Sequence, residues 1–230
     1  MSRVKPILFN TDDVRATLDG RMTVTRRLIK VPPYYPYFYK LHDNTDGRIT
    51  GTKNELFAGF YNDEQIFYKD GEKHIDAVYY KAPCKPGDIL YVRETWRKSP
   101  FTKYYIFKAD GEEELFKQSY DSEIMDDTVF KWKPSIHMPK EAARIWLKVT
   151  DVRAERLQDI TEEQAKAEGA NWRNGKNVGW EEKMKRTAIE RFTDIWNSTI
   201  KKKDLPLYGW NTNPWVWAIE FERCEKPKEV

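Results

Sequence analysis

The chain has 230 residues, of which 40% are hydrophobic and 33% are charged, and its formal net charge is +3. This length suits one large domain that buries a core without disulfide bonds or metal ions. A net charge so close to zero excludes a histone-like polycation, so any affinity for nucleic acid has to come from a local patch.

Cysteine usage and hydropathy predict a reduced, cytoplasmic protein with no metal ion and no cofactor. Cys84 and Cys224 form no CxxC pattern, and the three histidines have no spacing that suits metal ligands. The sequence shows no apolar signal-peptide segment and no run of 18 apolar residues, so we expect no membrane span.

The first 30 residues predict a strand, a short helix and a second strand. Asn10 or Thr11 can cap the helix, and Gly20 suits its C-terminal end. β-branched residues and alternation favour a strand after that glycine. The predicted bounds are 5–9 for the first strand, 12–19 for the helix and 23–29 for the second strand.

Two segments differ from the rest of the chain. Residues 31–82 begin with prolines and then mix glycine, acidic and aromatic residues at hairpin-like spacing, which predicts an insertion of short strands and loops. Residues 111–130 are acidic, and we interpret them as a loop insertion.

In the middle of the chain, the segment KPGDILYVRETW (85–96) predicts a type II turn centred on Pro86 and Gly87 and then one strand that reaches Trp96. A partner strand is expected at 103–110. Alternation gives the first strand one shared face, which is made of Leu90, Val92 and Trp96.

The last third of the chain predicts two strands and two helices. Residues 143–157 alternate, with Trp146 on the polar face, and Thr161 with Gln164 forms a capping box before a helix that ends at Gly169. A longer helix is expected at 180–199 and a tryptophan-rich strand at 214–225. Many strands, few helices and no steady βα alternation predict an α+β domain or a β-barrel.

The segment GRMTVTRR, residues 20–27, concentrates side-chain donors. With Lys30 it carries four positive charges and no acid. Arginine guanidinium groups suit phosphates and base edges, whereas ion pairs with acids elsewhere on a solvated face are the alternative. On a strand, one face would carry Thr23, Thr25 and Arg27, and the other face Arg26.

Two further segments offer ligand contacts. In WKPSIHMP, residues 132–139, Lys133 supplies a cation, Ser135 a hydroxyl and His137 an imidazole that titrates near neutrality. The alternative is a structural loop that closes over the core. In RETW, Arg93 and Glu94 either line a cleft or pair across the sheet.

Four motifs occur in a recognisable order: GR-x-T-x-T-x-R, then PGD-[IL]-L-x-V, then L-x-x-[IL]-[TS]-E-E-x-A-x-x-E-G, then W-x-[IV]-x-F. This order resembles the ASCH domain, a PUA-like β-barrel, in the long form found in phages and prophages, which also carries the WKPSIHMP segment. The resemblance implies a single domain over 1–230, located in the host cytoplasm if the protein is phage-encoded.

PUA-like barrels hold RNA or modified bases in a cleft, so the resemblance implies RNA or a nucleotide as the partner. Our first hypothesis is therefore binding of RNA or a modified nucleotide. The residues expected to contact the ligand are Arg21, Met22, Thr23, Thr25, Arg26, Arg27, Arg93, Glu94, Lys133, Ser135, His137 and Arg144.

One ASCH branch hydrolyses N4-acylated cytidines, and its motif implies Thr25 and Glu168 as catalytic residues of an amidohydrolase. The lysine of that motif is replaced here by Met22, which cannot act as a base. A third hypothesis is an interaction protein that engages a host protein through the aromatic insertion at 31–82.

Overall fold

A computed structural model describes residues 3–32, 35, 37–43, 55–61, 63–99, 103–111, 131–170 and 185–228. These residues form an α+β fold in which strands predominate and helices are few, which confirms the predicted class. The described strands do not close into a barrel. Within these residues, every helix is too short or too polar to cross a bilayer.

Strands make up most of the regular structure. In chain order they are β1 (Val4–Leu8), β2 (Val24–Leu28), β3 (Tyr37–Asp43), β4 (Leu56–Tyr61), β5 (Ile66–Lys69), β6 (Glu72–Ile75), β7 (Val78–Lys81), β8 (Ile89–Arg93), β9 (Trp96–Lys98), β10 (Tyr105–Phe107), β11 (Trp146–Arg156) and β12 (Trp215–Cys224). The helices are α1 (Thr11–Leu18), α2 (Glu162–Ala167), α3 (Ala188–Thr199) and α4 (Leu205–Tyr208).

The chain divides into two compact units, and the long strands β11 and β12 contribute residues to both. Unit 1 comprises Met1–Thr23, Gly87–Lys148 and Glu222–Val230. Unit 2 comprises Val24–Pro86 and Val149–Phe221. Each unit is therefore assembled from segments that are distant in sequence.

In unit 1, β8 lies between β1, which runs parallel to it, and the start of β11, which runs antiparallel. The short strands β9 and β10 form an antiparallel pair. Asn10 caps α1 through a capping box, and Gly20 follows the helix at φ 71°, a conformation that favours glycine. Both features confirm the prediction for this helix.

In unit 2, β12 lies between β11 and β2. The insertion forms a β3–β4–β7 sheet and a β5–β6 hairpin, which confirms the prediction of short strands. Thr161 and Thr187 close capping boxes at the starts of α2 and α3. The two helices pack on a core that includes Leu157, Phe192 and Trp196.

The strand predicted after the turn at Gly87 is present, but it does not continue to Trp96, because β8 ends at Arg93 and β9 begins at Trp96. The interruption also changes the face of Trp96. It packs in a cluster with Ile89 and Tyr91, not with Leu90 and Val92. Glu94 and Thr95 lie between the two strands and have no strand geometry, so the alternation of faces along β8 does not continue into β9.

Three other boundaries or environments differ from the expectation. Helix α3 begins at Ala188 because Thr187 caps it there, and residues 171–184 before it lie outside the described residues. Residues 112–130 of the predicted acidic loop also lie outside the described residues. The strand expected at 103–110 is shortened to β10 by a 3-10 turn. Trp146, expected on a polar face, is 3% exposed because Met138 and Ala142 belong to the same buried cluster.

Candidate functional site

The GRMTVTRR segment follows α1 and continues into β2, and its donors do not share one environment. Arg21 is exposed, and its Nη2 lies 2.8 Å from Asp19 Oδ2. Met22 and Thr25 are buried, Thr23 is exposed and Arg27 is half-buried. The burial of Met22 agrees with a packing role for this side chain.

Arg26 lies in a buried ion-pair cluster of unit 2, which we call the Arg26 cluster. Its side chain is 0% exposed. Nη2 donates to Glu155 Oε1 at 2.5 Å and to Gln164 Oε1 at 3.0 Å, and Nη1 donates to Glu168 Oε1 at 3.1 Å. Because the protein's own acids and amide take these donors, the guanidinium does not reach a phosphate in solvent.

Local sequence explains how the acceptors of the Arg26 cluster converge. Gln164 and Glu168 are four residues apart, so both project from the same side of α2 and its C-cap. Gln164 also accepts the backbone N–H of Thr161, which closes the capping box. Glu155 reaches the cluster from β11 and has a second cation in Arg153, 3.6 Å away. The cluster therefore links β2, β11 and the start of α2 within unit 2.

Thr25 and Glu168, the residues implied for hydrolysis, are both buried in unit 2. Glu168 has a 7% exposed side chain and an ion pair with Arg26. Among the described residues, the Thr25 hydroxyl forms no hydrogen bond with Glu168, a lysine or a histidine. A threonine hydroxyl needs such a base to become a nucleophile.

Arg144 organises a second ion-pair cluster, in unit 1. Its Nε and Nη2 donate to the two carboxylate oxygens of Glu94 at 2.9 and 3.0 Å, and Asp110 Oδ1 lies 2.8 Å from Nη2. The guanidinium carbon lies 4.1 Å from the centre of the Phe107 ring. Burial raises the pKa of Glu94, and the bonds from Arg144 partly oppose that rise.

The WKPSIHMP segment is anchored by a buried methionine. Met138 is 0% exposed, its carbonyl accepts Arg93 Nε at 2.7 Å, and its sulfur accepts the backbone N–H of Glu94 at 3.2 Å. The 3-10 turn Ser135–His137 precedes it, with His137 exposed and Ser135 half-buried. The structure thus brings RETW, Arg144 and WKPSIHMP together in unit 1.

Four lysines of unit 1 lie over aromatic rings, and we call this set the basic–aromatic face. The ammonium-to-ring-centre distances are 5.1 Å for Lys133 over Trp96, 5.9 Å for Lys98 over Tyr105, 5.9 Å for Lys140 over Tyr91 and 5.8 Å for Lys226 over Trp146. The four rings belong to a single hydrophobic cluster of unit 1.

The lysines of the basic–aromatic face differ from other lysines of unit 1 in their ionic contacts. In the part of the chain that the structure describes, none of the four forms an ion pair with a carboxylate, in contrast to Lys148, whose Nζ lies 3.4 Å from Glu222. Sequence reasoning found Lys133 but missed Lys98, Lys140 and Lys226. The sequence signal for Lys98 was its position two residues after Trp96, because side chains at this spacing share one face of a strand.

The described residues contain no group of three or more His, Cys, Asp or Glu that could hold a metal ion. The resemblance to the ASCH domain continues to rest on the four sequence motifs. Comparisons of the chain with protein-family models, with curated proteins and with solved structures found no match.

Proposed function

We propose that this protein binds single-stranded RNA, with the basic–aromatic face of unit 1 as the contact surface for the phosphates. The observation that carries the proposal is the set of four lysines that are held over aromatic rings and form no ion pair within the described residues. The ASCH resemblance supports RNA as the nucleic acid. It also supports a modified nucleotide as part of that RNA.

Lysines that are held over aromatic rings suit phosphate, because the conformational entropy of these side chains is already reduced before the ligand binds. A ring beneath the ammonium group attracts it by about 0.5–1 kcal/mol at an exposed site and restricts the side chain before a ligand arrives. Tyr91 and Tyr105 are only half-buried, so parts of these rings remain available to bases. Base stacking on such rings contributes about 1–3 kcal/mol per base.

In this proposal Lys133 and its three neighbours make the phosphate contacts, and Arg26 does not. Exposed His137 lies on the same WKPSIHMP segment as Lys133 and is a candidate base contact. The amidohydrolase alternative has no such observation in its favour, since no described residue acts as a base on Thr25 and Glu168 is paired with Arg26.

The test is the salt dependence of RNA binding. A fluorescein-labelled single-stranded RNA is titrated with protein at several salt concentrations, and fluorescence anisotropy gives the affinity. Each phosphate contact contributes about 0.7 to the slope of log affinity against log salt. We expect the variant Lys98→Gln, Lys133→Gln, Lys226→Gln to lower that slope by about 2.

The matched control is Lys201→Gln, Lys202→Gln, Lys203→Gln. These three lysines are also exposed and belong to unit 2. Their replacement removes the same charge as the first triple variant. The control should keep the slope and affinity of the native chain. Equal losses in both triple variants would show non-specific attraction to the net charge, and no loss in either would show that the basic–aromatic face is not the contact surface.

A second candidate function, binding of a host protein, is favoured by one observation in the insertion. Tyr37 and Tyr39 of β3 are 43% and 37% exposed, and both rings contact Tyr61. Exposed aromatic side chains that lie together suit a protein partner. Association through these two tyrosines would resist high salt and would be lost in a variant with serine at both positions.

A further inference from the structure

The 3-10 turn Ser135–His137 of the WKPSIHMP segment holds an isoleucine in solvent. Ile136 is 57% exposed, and the phosphate contacts proposed above do not involve it. Single exposed apolar side chains are common on protein surfaces, so the exposure by itself indicates no function. The backbone contacts of this turn, and its place between two lysines of the basic–aromatic face, are what distinguish Ile136.

The turn is fixed at both ends. Before it, the backbone N–H of Lys133 donates to the Trp96 carbonyl at 2.8 Å, and the Trp96 N–H donates to the Lys133 carbonyl at 3.2 Å. After it, Met138 is 0% exposed, and its backbone N–H donates to the Ser135 carbonyl at 3.0 Å. The fold itself therefore places Ile136 in solvent, and little conformational entropy is lost when a ligand contacts this side chain.

Two lysines of the basic–aromatic face flank the turn in the chain. Lys133 precedes Ile136 by three residues and Lys140 follows it by four. Their ammonium groups lie 5.1 Å from the centre of the Trp96 ring and 5.9 Å from that of the Tyr91 ring. Four extended residues span at most about 14 Å, so the Cα atoms of both lysines lie within that distance of the Cα atom of Ile136. A phosphate held by either lysine brings the adjoining bases close to Ile136.

An aliphatic side chain among phosphate-binding lysines can distinguish unpaired from paired bases. An unpaired base exposes its flat apolar face, which a side chain can cover. In a duplex each face is covered by the neighbouring base, and an apolar side chain reaches it only by unstacking a base step, which is energetically costly. Lysines alone do not make this distinction, because their charge attracts the phosphates of both forms.

We propose that Ile136 packs against the face of an unpaired base of the bound RNA and is the residue through which the protein selects single-stranded over double-stranded RNA. The inference rests on the proposed function, because the lysines of the basic–aromatic face have to bind the phosphates before a base meets Ile136. It adds a contact through apolar surface, and this contribution to affinity does not depend on salt.

The experiment compares one fluorescein-labelled single-stranded RNA with the same RNA annealed to its complement. Fluorescence anisotropy gives the affinity of the native chain and of Ile136→Ala for each form. We expect the native chain to prefer the single strand and Ile136→Ala to bind that strand about tenfold more weakly, roughly the effect of losing two buried methylene groups. Affinity for the duplex should change by less than about twofold. The slope of log affinity against log salt should stay unchanged, since no phosphate contact is removed.

Two variants serve as controls. Ile136→Leu keeps a similar apolar surface and should retain the preference for the single strand. Leu207→Ala removes an aliphatic side chain at a 49% exposed position of unit 2, and it should bind both RNA forms as the native chain does. Because Ile136 is exposed, both substitutions at this position leave the fold intact.

The inference is overturned if Ile136→Ala binds the single strand with the native affinity, or if it loses affinity for the single strand and the duplex equally. It is also overturned if the native chain binds both forms equally. The salt slope separates this failure from failure of the proposed function. If the variant Lys98→Gln, Lys133→Gln, Lys226→Gln lowers the slope while Ile136→Ala has no effect, the lysines bind phosphate and only the base contact is wrong. If the lysine variant leaves the slope unchanged, the proposed function fails, and this inference fails with it.

Discussion

Replacement of Arg26 by methionine tests whether the Arg26 cluster stabilises the fold. Methionine fills a similar length but leaves Glu155 and Glu168 without the guanidinium that lies 2.5 and 3.1 Å from them. Removing one member of a buried ion pair costs about 3–5 kcal/mol, since the remaining charge stays desolvated. Glu155 retains Arg153 at 3.6 Å, so most of the cost falls on Glu168.

The assay is urea unfolding at neutral pH, followed by tryptophan fluorescence. We expect Arg26→Met to lower the free energy of unfolding by about 3–5 kcal/mol. Glu168→Gln in the same background should recover part of that loss, because it removes the uncompensated charge. The reasoning is refuted if Arg26→Met costs less than about 1 kcal/mol, or if the second substitution adds its full single-variant cost, as independent sites do.

Two further predictions concern unit 1. The folded state raises the pKa of Glu94 above its ordinary value of 4.5. At pH values just above 4.5 the folded protein therefore binds more protons than the unfolded chain, and the free energy of unfolding falls as the pH rises through this range. Glu94→Gln should flatten this fall in urea unfolding measured at several pH values, and an unchanged slope would contradict it. Met138→Ala should cost about 2–5 kcal/mol in the same assay, because the side chain is fully buried, and Ile136→Ala at a 57% exposed position is the control.

Local signals in the sequence predicted the features that depend on a few neighbouring residues. The helix cap at Asn10 and the capping box at Thr161 satisfy amides within three residues, and Gly20, Gly87 and Gly169 all adopt positive φ. Alternation located β2 and β12 closely. Each of these signals is complete within one short window of sequence.

The buried ion pairs of Arg26 could not be predicted from the neighbouring residues. Its partners lie 129 to 142 residues away, and no acid stands near it in GRMTVTRR. A segment without acids suggests that its arginines are exposed, but in the folded chain Glu155 and Glu168 accept hydrogen bonds from Arg26. The basic–aromatic face is hidden for the same reason, because most of its lysine–ring pairs join segments that are far apart in sequence.

The position of β2 has a consequence for folding during synthesis. In the described sheet its neighbour is β12, and the partners Val24 and Glu220 are 196 residues apart. At roughly 5–20 residues per second, β2 waits about 10–40 s for its partner to emerge from the ribosome. An unpaired strand is prone to aggregation, and charged side chains protect such edges. Arg26 and Arg27 place two positive charges on this strand, and like charges disfavour its pairing with a second copy.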